Sequence, residues 1–341
     1  MLISSIKLNE PIKKNYPIKT DKPKFFYLKK AFFYPTFFKK IVGIVFDENK
    51  RIIKNWHYND VLSTWSFHKC LSFSFLKYDF FINTNLLYLS NFFNKKKHIM
   101  LHDRDIVLFG AWPNIYYHKI IDFILRINFI KKHKYRRIYV PIFLKNILKS
   151  NPYKKVFSKL NINYYDYKSK ITFNNLRYVS AINYYRDNKV LRNTILNLQK
   201  SVINNNKLAS DKYKYSLISR KKSTRGLENE DALFSMLKRY NFKRYYFENL
   251  SYLDQIKVCY NSKIVIGVQG SGLANMIYMK KKAHFIQLSN IYINNPQIRE
   301  LAISTGLNWH DINFSHNYRR NFKGRIDILK VEKKVKSILK I

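Results

Sequence analysis

The segment KIVIGVQGSGLANMIYM, residues 263–279, constrains this chain more than any other stretch. A short apolar run is broken by Gly267, Gly270 and Gly272 and then passes directly into a second apolar segment. That is how a buried strand turns sharply into a helix. It sits in a regular series: strand YKYSLIS (213–219), a helix from Asn229 to Tyr240, strand FKRYYF (242–247), a helix from Ser251 to Asn261, strand KIVIGV, the glycine turn, a short helix, and strand AHFIQL (283–288). Strands separated by helices imply a mainly parallel sheet, and so a Rossmann-like unit.

Local chemistry supports these elements. The first helix carries Leu233, Leu237 and Tyr240 on one face, and Asn229, Glu230 and Asp231 put an N-cap and negative charge at its start. The second opens on SYLD, a capping-box pattern of Ser251 and Asp254. In the first half, IVGIVFDENKRIIKNW (41–56) is expected to form a hairpin. IVLFG (106–110), RRIYVPIF (136–143) and LRYVS (176–180) are expected as strands, with a helix over 114–130. A polar, Asn- and Lys-rich helix and link follows around 181–212. The expected layout is an arm over 1–23 containing Pro11, Pro17 and Pro23, a Rossmann-like lobe over 24–190, and a second over 191–341.

Sixty-four Lys and Arg against 21 Asp and Glu give a formal charge of +43. Such a field attracts nucleotides, nucleic acid or an anionic membrane. The lysines are spread along the chain among abundant Asn, Ile, Tyr and Phe, so the charge alone selects none of these, and nucleic acid is not expected. Cys70 and Cys259 share no spacing that suggests a disulfide framework or a zinc site. No apolar run approaches the ~18 residues needed to span a bilayer, and the N-terminal stretch lacks a leader pattern. The expectation is a cytoplasmic protein, with peripheral contact at the inner face of the membrane.

Three motifs carry chemistry, each with a plain structural alternative. GSGLAN matches part of the dinucleotide pattern G-x-G-x-x-G, with Asn275 in place of the third glycine. Gly270 and Gly272 let backbone approach an anionic ligand; the alternative is a tight strand-to-helix turn. ISRKKSTRG (218–226) ends the first strand of the same unit, placing Ser219, Arg220 and Arg225 at the edge where doubly wound sheets bind ligands. Arg forks suit phosphate oxygens; the alternative is a solvated basic loop. In NIYYHKIIDFILRI (114–127), His118, Asp122 and Arg126 share a stripe of roughly 80°. Asp122 either acts as a base, alone or through His118, or forms an i, i+4 ion pair with Arg126.

Together YYHKIIDFILRI, SRKKSTRGLENED and VIGVQGSGLANMIYM resemble glycosyltransferase family 61 of the bacterial, capsular or cell-surface polysaccharide type, over roughly residues 41–290. The resemblance implies an α/β, GT-B-like fold of two Rossmann-like lobes facing a central cleft. It also implies an inverting, metal-independent transferase that moves a sugar from a nucleotide-sugar donor to a glycan or lipid-linked glycan, in cell-surface polysaccharide synthesis. No cofactor is expected. By position, Ser219, Arg220 and Arg225 would meet the donor diphosphate, and Gly270, Ser271 and Gly272 the nucleotide. His118 and Asp122 would lie on the acceptor side, with Asp122 as the base.

Two positions depart from the family pattern. Gln269 stands where His is usual and Gln287 where Glu is usual, the latter weakening a ribose contact by about 1–3 kcal/mol. A degenerate member that binds a nucleotide sugar or a glycan without turnover is therefore the alternative. Asp103-Arg104-Asp105 has the D-x-D form of many metal-dependent glycosyltransferases, but such pairs are common in turns and no metal site is expected there. His98 and His102 would share a face only if helical.

Overall fold

β10 (Ile264–Val268) is buried at every position, as expected of a parallel strand covered on both faces. In this computed structural model the described residues are 25–34, 44–47, 97–109, 115–166, 171–179, 189–208, 215–221, 226–290, 297–316 and 323–341. The chain divides into two units, Met1–Lys149 with Phe157–Asn183, and Ser150–Val156 with Tyr184–Ile341. Each is an α/β assembly around its own sheet.

The first unit contains β1 (Phe25–Tyr34), β2 (Ile44–Asp47), β3 (Lys97–Met100), β4 (Asp105–Val107), β5 (Arg137–Pro141), β6 (Ile162–Tyr165) and β7 (Ile171–Val179). Their order is β2-β1-β7-β4-β5-β6, with β3 also on β7. β4 pairs in parallel with β5 and with β7, and β5 with β6, while β1 runs antiparallel to both β7 and β2. The chain moves outward from β4 to β6 and returns on the other side of β4 as β7, so the sheet has a topological switch point between β4 and β7. The expected hairpin over 41–56 is represented only by β2, whose partner is β1; residues 48–56 lie outside the described ones. Helix α1 spans 116–130 as an α turn (Tyr116–His118), a π segment (Lys119–Ile124) and an α segment (Leu125–Ile130). Nothing in the residue spacing signals the π segment.

The second unit contains α2 (Lys189–Asn206), β8 (Tyr215–Ile218), α3 (Glu230–Lys238), β9 (Lys243–Tyr245), α4 (Tyr252–Asn261), β10, β11 (His284–Asn290), α5 (Gln297–Thr305), β12 (Asn308–His316), β13 (Gly324–Arg325) and α6 (Ile328–Leu339). The order is β13-β12-β11-β10-β8-β9, parallel except for β13. Here the switch point lies between β8 and β10. One face buries Leu217, Ile264, Ile266, Ile286 and Leu288 against Leu233, Leu237, Val331 and Val335 of α3 and α6. On the other face Gly267 lies against Leu273, whose Cδ2 would sit 2.7 Å from an added Cβ, so a bare backbone is needed for the segment after the turn to lie on the sheet.

That segment, Ser271–Tyr278, is the expected short helix and is of the 3-10 type. Asn275 shows what replaced the third glycine: its buried amide donates to Gln255 Oε1 (2.9 Å), and Gln255 donates on to the Phe247 and Leu250 carbonyls. The Ser251 half of the capping box of α4 forms, with Asp254 N–H donating to Ser251 Oγ (3.2 Å), while the Asp254 carboxylate accepts from the Ser251 hydroxyl (2.6 Å). Asn229, at the N-cap of α3, makes no side-chain cap bond. Its amide instead donates to Ile326 O (2.8 Å) and accepts from Ile326 N–H (3.0 Å), tying the starts of α3 and α6 together.

Candidate functional site

Two groups of candidate residues emerge, one at each switch point. In the second unit, Ser219 and Arg220 follow β8, and Gln269 and Gly270 follow β10. Arg220 Nη1 donates to the Gln269 carbonyl, and a Cβ on Gly270 would collide with the Arg220 guanidinium. The geometry thus brings the SR loop and the glycine turn together, and Gly270 is bare because Arg220 occupies the space beside it. Its φ of 179° is ordinary extended backbone, so close approach rather than dihedral freedom explains the residue. Ser271 and Gly272 continue the turn, half-buried. Arg225 lies outside the described residues.

Glu230 is what fixes this loop. Its buried carboxylate accepts from Ser219 Oγ and from Arg220 N–H (3.1 Å). Ser219 Oγ also accepts from Lys221 N–H (3.2 Å), so the hydroxyl is engaged inside the protein. From sequence alone Glu230 has only a helix-dipole role; an acid ten residues beyond Ser-Arg was the available signal. Lys221 reaches Asp231 (2.5 Å), which also holds Arg244 (2.6 Å), and these bonds push the Lys221 ammonium up and the Asp231 carboxyl down from their usual values.

Gln269 donates its backbone N–H to Leu288 O (3.0 Å), while its side-chain Oε1 is enclosed without a hydrogen-bond partner. An orphan acceptor costs about 1–3 kcal/mol, and such groups concentrate where a ligand or water completes the site. Gln287, buried in β11, accepts from Trp309 Nε1 (3.3 Å) and donates to Ser289 Oγ (2.8 Å), which donates to Asp311. A glutamate here would compete with Asp311 for the Ser289 proton, so glutamine fits this relay. Partial burial pushes the Asp311 carboxyl up, and the Ser289 hydroxyl opposes that shift. Trp309, Asp311 and Ser289 were missed in sequence because β12 was not anticipated and its register on β11 is a tertiary fact.

In the first unit, α1 begins just beyond the C-terminal end of β4. His118 Nδ1 lies 2.7 Å from Asp122 Oδ2. The Asp122 side chain is 1% exposed and that of His118 15%. Asp122 sits in the π segment, and its Oδ1 is enclosed without a partner. The expected ion pair of Asp122 and Arg126 does not form through the carboxylate. Arg126 Nε donates to the Asp122 carbonyl, Nη1 to Val179 O (3.2 Å) and Nη2 to Phe109 O, and the guanidinium stacks 5.2 Å from the Phe123 ring. It is thus the 122 carbonyl, rather than the carboxylate, that meets Arg126. Burial draws the guanidinium down to about 10, opposed by the Asp122 charge, so it remains cationic at neutral pH.

The weaker sequence candidates are placed elsewhere. Asp105 is fully buried and accepts from Arg137 Nη2 (2.8 Å) and His102 N–H (3.0 Å). His98 lies in β3 and His102 in the turn after it, both exposed, so they share no helix face. Among the described residues no group of three His, Cys, Asp or Glu side chains is arranged to hold a metal ion, and no helix is long and apolar enough to cross a membrane.

The model of the family Glycosyltransferase 61 matches residues 116–286, half of the chain and the stretch that holds His118, Asp122, Ser219, Arg220 and the glycine turn, though not Gln287. This chain belongs to glycosyltransferase family 61. It is also similar to the EGF domain-specific O-linked N-acetylglucosamine transferase of Drosophila melanogaster, at 29% identity over 82 residues. That match takes in 23% of this chain and spans 16% of the fly protein. In this family member the β8–β10 junction offers cationic and backbone groups, and the His118–Asp122 pair offers a proton acceptor.

Proposed function

We propose that this glycosyltransferase works by inversion, taking a sugar from a nucleotide-sugar donor held at the β8–β10 junction and passing it to a glycan hydroxyl deprotonated by His118. The observation that carries this is Arg220 laid along Gly270 at a switch point, where a guanidinium and closely approachable backbone can meet diphosphate oxygens. Arg225 joins it in this proposal, while Ser219 and Glu230 position the loop. Gly270, Ser271 and Gly272 line the nucleotide, with Gln269 Oε1 and Gln287 as further polar contacts. The positive groups stabilise the departing diphosphate, a task that other transferases give to a divalent cation, so no metal ion is required.

On the acceptor side, His118 rather than Asp122 is the base in this proposal, because Asp122 is enclosed and already bonded to Nδ1. Asp122 orients the ring and stabilises the imidazolium. The acceptor oxygen forms its bond to the anomeric carbon as the carbon–oxygen bond to the diphosphate breaks. The hydroxyl proton goes to His118 Nε2 and the electron pair leaves with the nucleotide. The two units would divide these tasks as GT-B lobes do, in the making of a cell-surface polysaccharide from the cytoplasmic side.

The test is a thermal-shift titration against nucleotide sugars, beginning with nucleotide-linked N-acetylglucosamine because of the fly relative, followed by product analysis by NMR. Stabilisation by a donor and a product of inverted anomeric configuration are expected. Retained configuration, or no stabilisation by any donor, overturns the proposal. Gln269 and Gln287, in place of the family's His and Glu, favour a second reading as a non-catalytic binding module; stabilisation without turnover would select it.

A further inference from the structure

α6 buries Val331 and Val335 fully and Ile328, Ile338 and Leu339 partly against the strand core and α3. At about 100° per residue, Leu329, Lys330, Lys333, Lys336, Ser337 and Lys340 fall in an arc of roughly 120° on the opposite side, with Glu332 and Lys334 at its two flanks. The four lysines and Leu329 are solvent-facing, and Leu329 at 74% is the most exposed large hydrophobic side chain among the described residues. Glu332, the only acid of the helix, is turned to the flank, where Tyr240 Oη (2.6 Å) and Arg239 Nη2 (3.1 Å) donate to it. Exposed Lys238 and Arg239 of α3 extend the cationic surface on that flank. The arc therefore carries four cations and one apolar side chain, with Asp327 at the helix start and Glu332 on the flank each 3.7 Å from one of the lysines, Lys330 and Lys336.

Its place in the fold matters. Asn229 holds Ile326 through two hydrogen bonds, so the start of α6, with Leu329, lies beside the start of α3, whose Glu230 holds Ser219 and Arg220. Leu329 is thus at the same sheet edge as the β8–β10 junction.

We propose that the solvent arc of α6 is a docking surface for an anionic lipid layer, its lysines meeting headgroup phosphates and Leu329 entering the headgroup–acyl boundary. This gives the diffuse cation excess of the chain a definite address and brings the strand edge that carries Arg220 toward the bilayer. A lipid layer fits better than nucleic acid because the arc is a single convex helix face without an aromatic ring on which bases could stack. It does not depend on the donor or the base assigned above.

Co-sedimentation of the full chain with vesicles of phosphatidylcholine alone, and of phosphatidylcholine mixed with phosphatidylglycerol, tests it. Binding to the mixed vesicles alone is expected. At about 1 kcal/mol per lysine near the surface, the triple variant Lys333→Gln, Lys336→Gln, Lys340→Gln should lose on the order of 100-fold in affinity. Leu329→Ser should lose roughly tenfold, the transfer energy of part of a leucine. All these side chains are solvent-facing, so circular dichroism and melting should match wild type. A charge-matched control, Lys132→Gln, Lys134→Gln, Lys145→Gln, uses exposed lysines of the first unit and should change binding less than about twofold in comparison. An equal loss in that control, no binding to mixed vesicles, or binding of a DNA duplex in preference to them overturns the proposal. Donor-induced thermal shift in the triple variant should stay at the wild-type value, which separates this surface from the donor site.

Discussion

Arg126 and Arg220 stand at corresponding places in two sheets. Each lies at a switch point, β4/β7 in the first unit and β8/β10 in the second, and each donates to backbone carbonyl oxygen at the strand ends. Arg126 is 1% exposed, satisfied by three carbonyls, and behaves as a rivet that fixes α1 across the switch point. Arg220 is only half-buried, and its Nη1 is held by the Gln269 carbonyl. Both sites keep one enclosed acceptor without a partner, Asp122 Oδ1 and Gln269 Oε1. The contrast is one of exposure: a buried guanidinium with three carbonyl partners has a structural task, whereas a half-buried one keeps a surface that a ligand can meet. In the first unit the arginine closes that position, and the proposal above accordingly assigns the chemistry to His118 near the start of the helix.

The strongest consequence concerns that displacement. Asp122→Asn keeps a polar group against His118 but removes the charge that stabilises the imidazolium, so transfer should fall by about 10²–10⁴-fold with donor binding unchanged. Full transfer by this variant would remove the dyad from the mechanism. Arg126→Met should act on stability instead, leaving three carbonyls without a buried donor at a cost of about 3–5 kcal/mol, read by denaturant unfolding. If it melted like wild type but lost transfer, the rivet would have to be counted as part of the chemistry.

A weaker effect is expected at the opposite edge of the second sheet. His284 Nδ1 and His310 Nε2 lie 3.0 Å apart with stacked rings, at the starting end of β11 and β12. Burial draws both imidazoles below 6.5, and for His310 Lys334 and His284 add to the shift. The unfolded chain therefore binds more protons, so their contribution is complete above the unfolded value of 6.5 and declines as pH falls through the window below it. Melting temperature should drop in that window, and His310→Asn should flatten the dependence. A pH-independent melting temperature would show that the pair is not held as described.

Much of the second unit was legible because its signals are local. Alternating strands and helices, the Ser251 cap and the glycine turn each lie within a few residues of the partners that explain them. β1 was not legible, since its register, Phe25 on Val179, joins segments far apart in sequence. The stripe of His118, Asp122 and Arg126 was visible from spacing, but the π segment and the pairing of Arg126 with carbonyls were not. Gln287 was flagged by its departure from the family, whereas its partners Trp309, Ser289 and Asp311 come together only through the β11–β12 register.

The decisive measurement for the donor site is calorimetric titration of a nucleotide-sugar donor into wild type, Arg220→Ala and Gly270→Ala. In the glycine variant the new methyl group takes the space of the Arg220 guanidinium without straining an extended backbone. Both variants should therefore fold, and both should lose roughly tenfold or more in donor affinity, the scale of one charge-assisted contact of about 1.5–3 kcal/mol. Unchanged donor affinity in both variants, with melting temperatures equal to wild type, would contradict the assignment of the donor site to the β8–β10 junction.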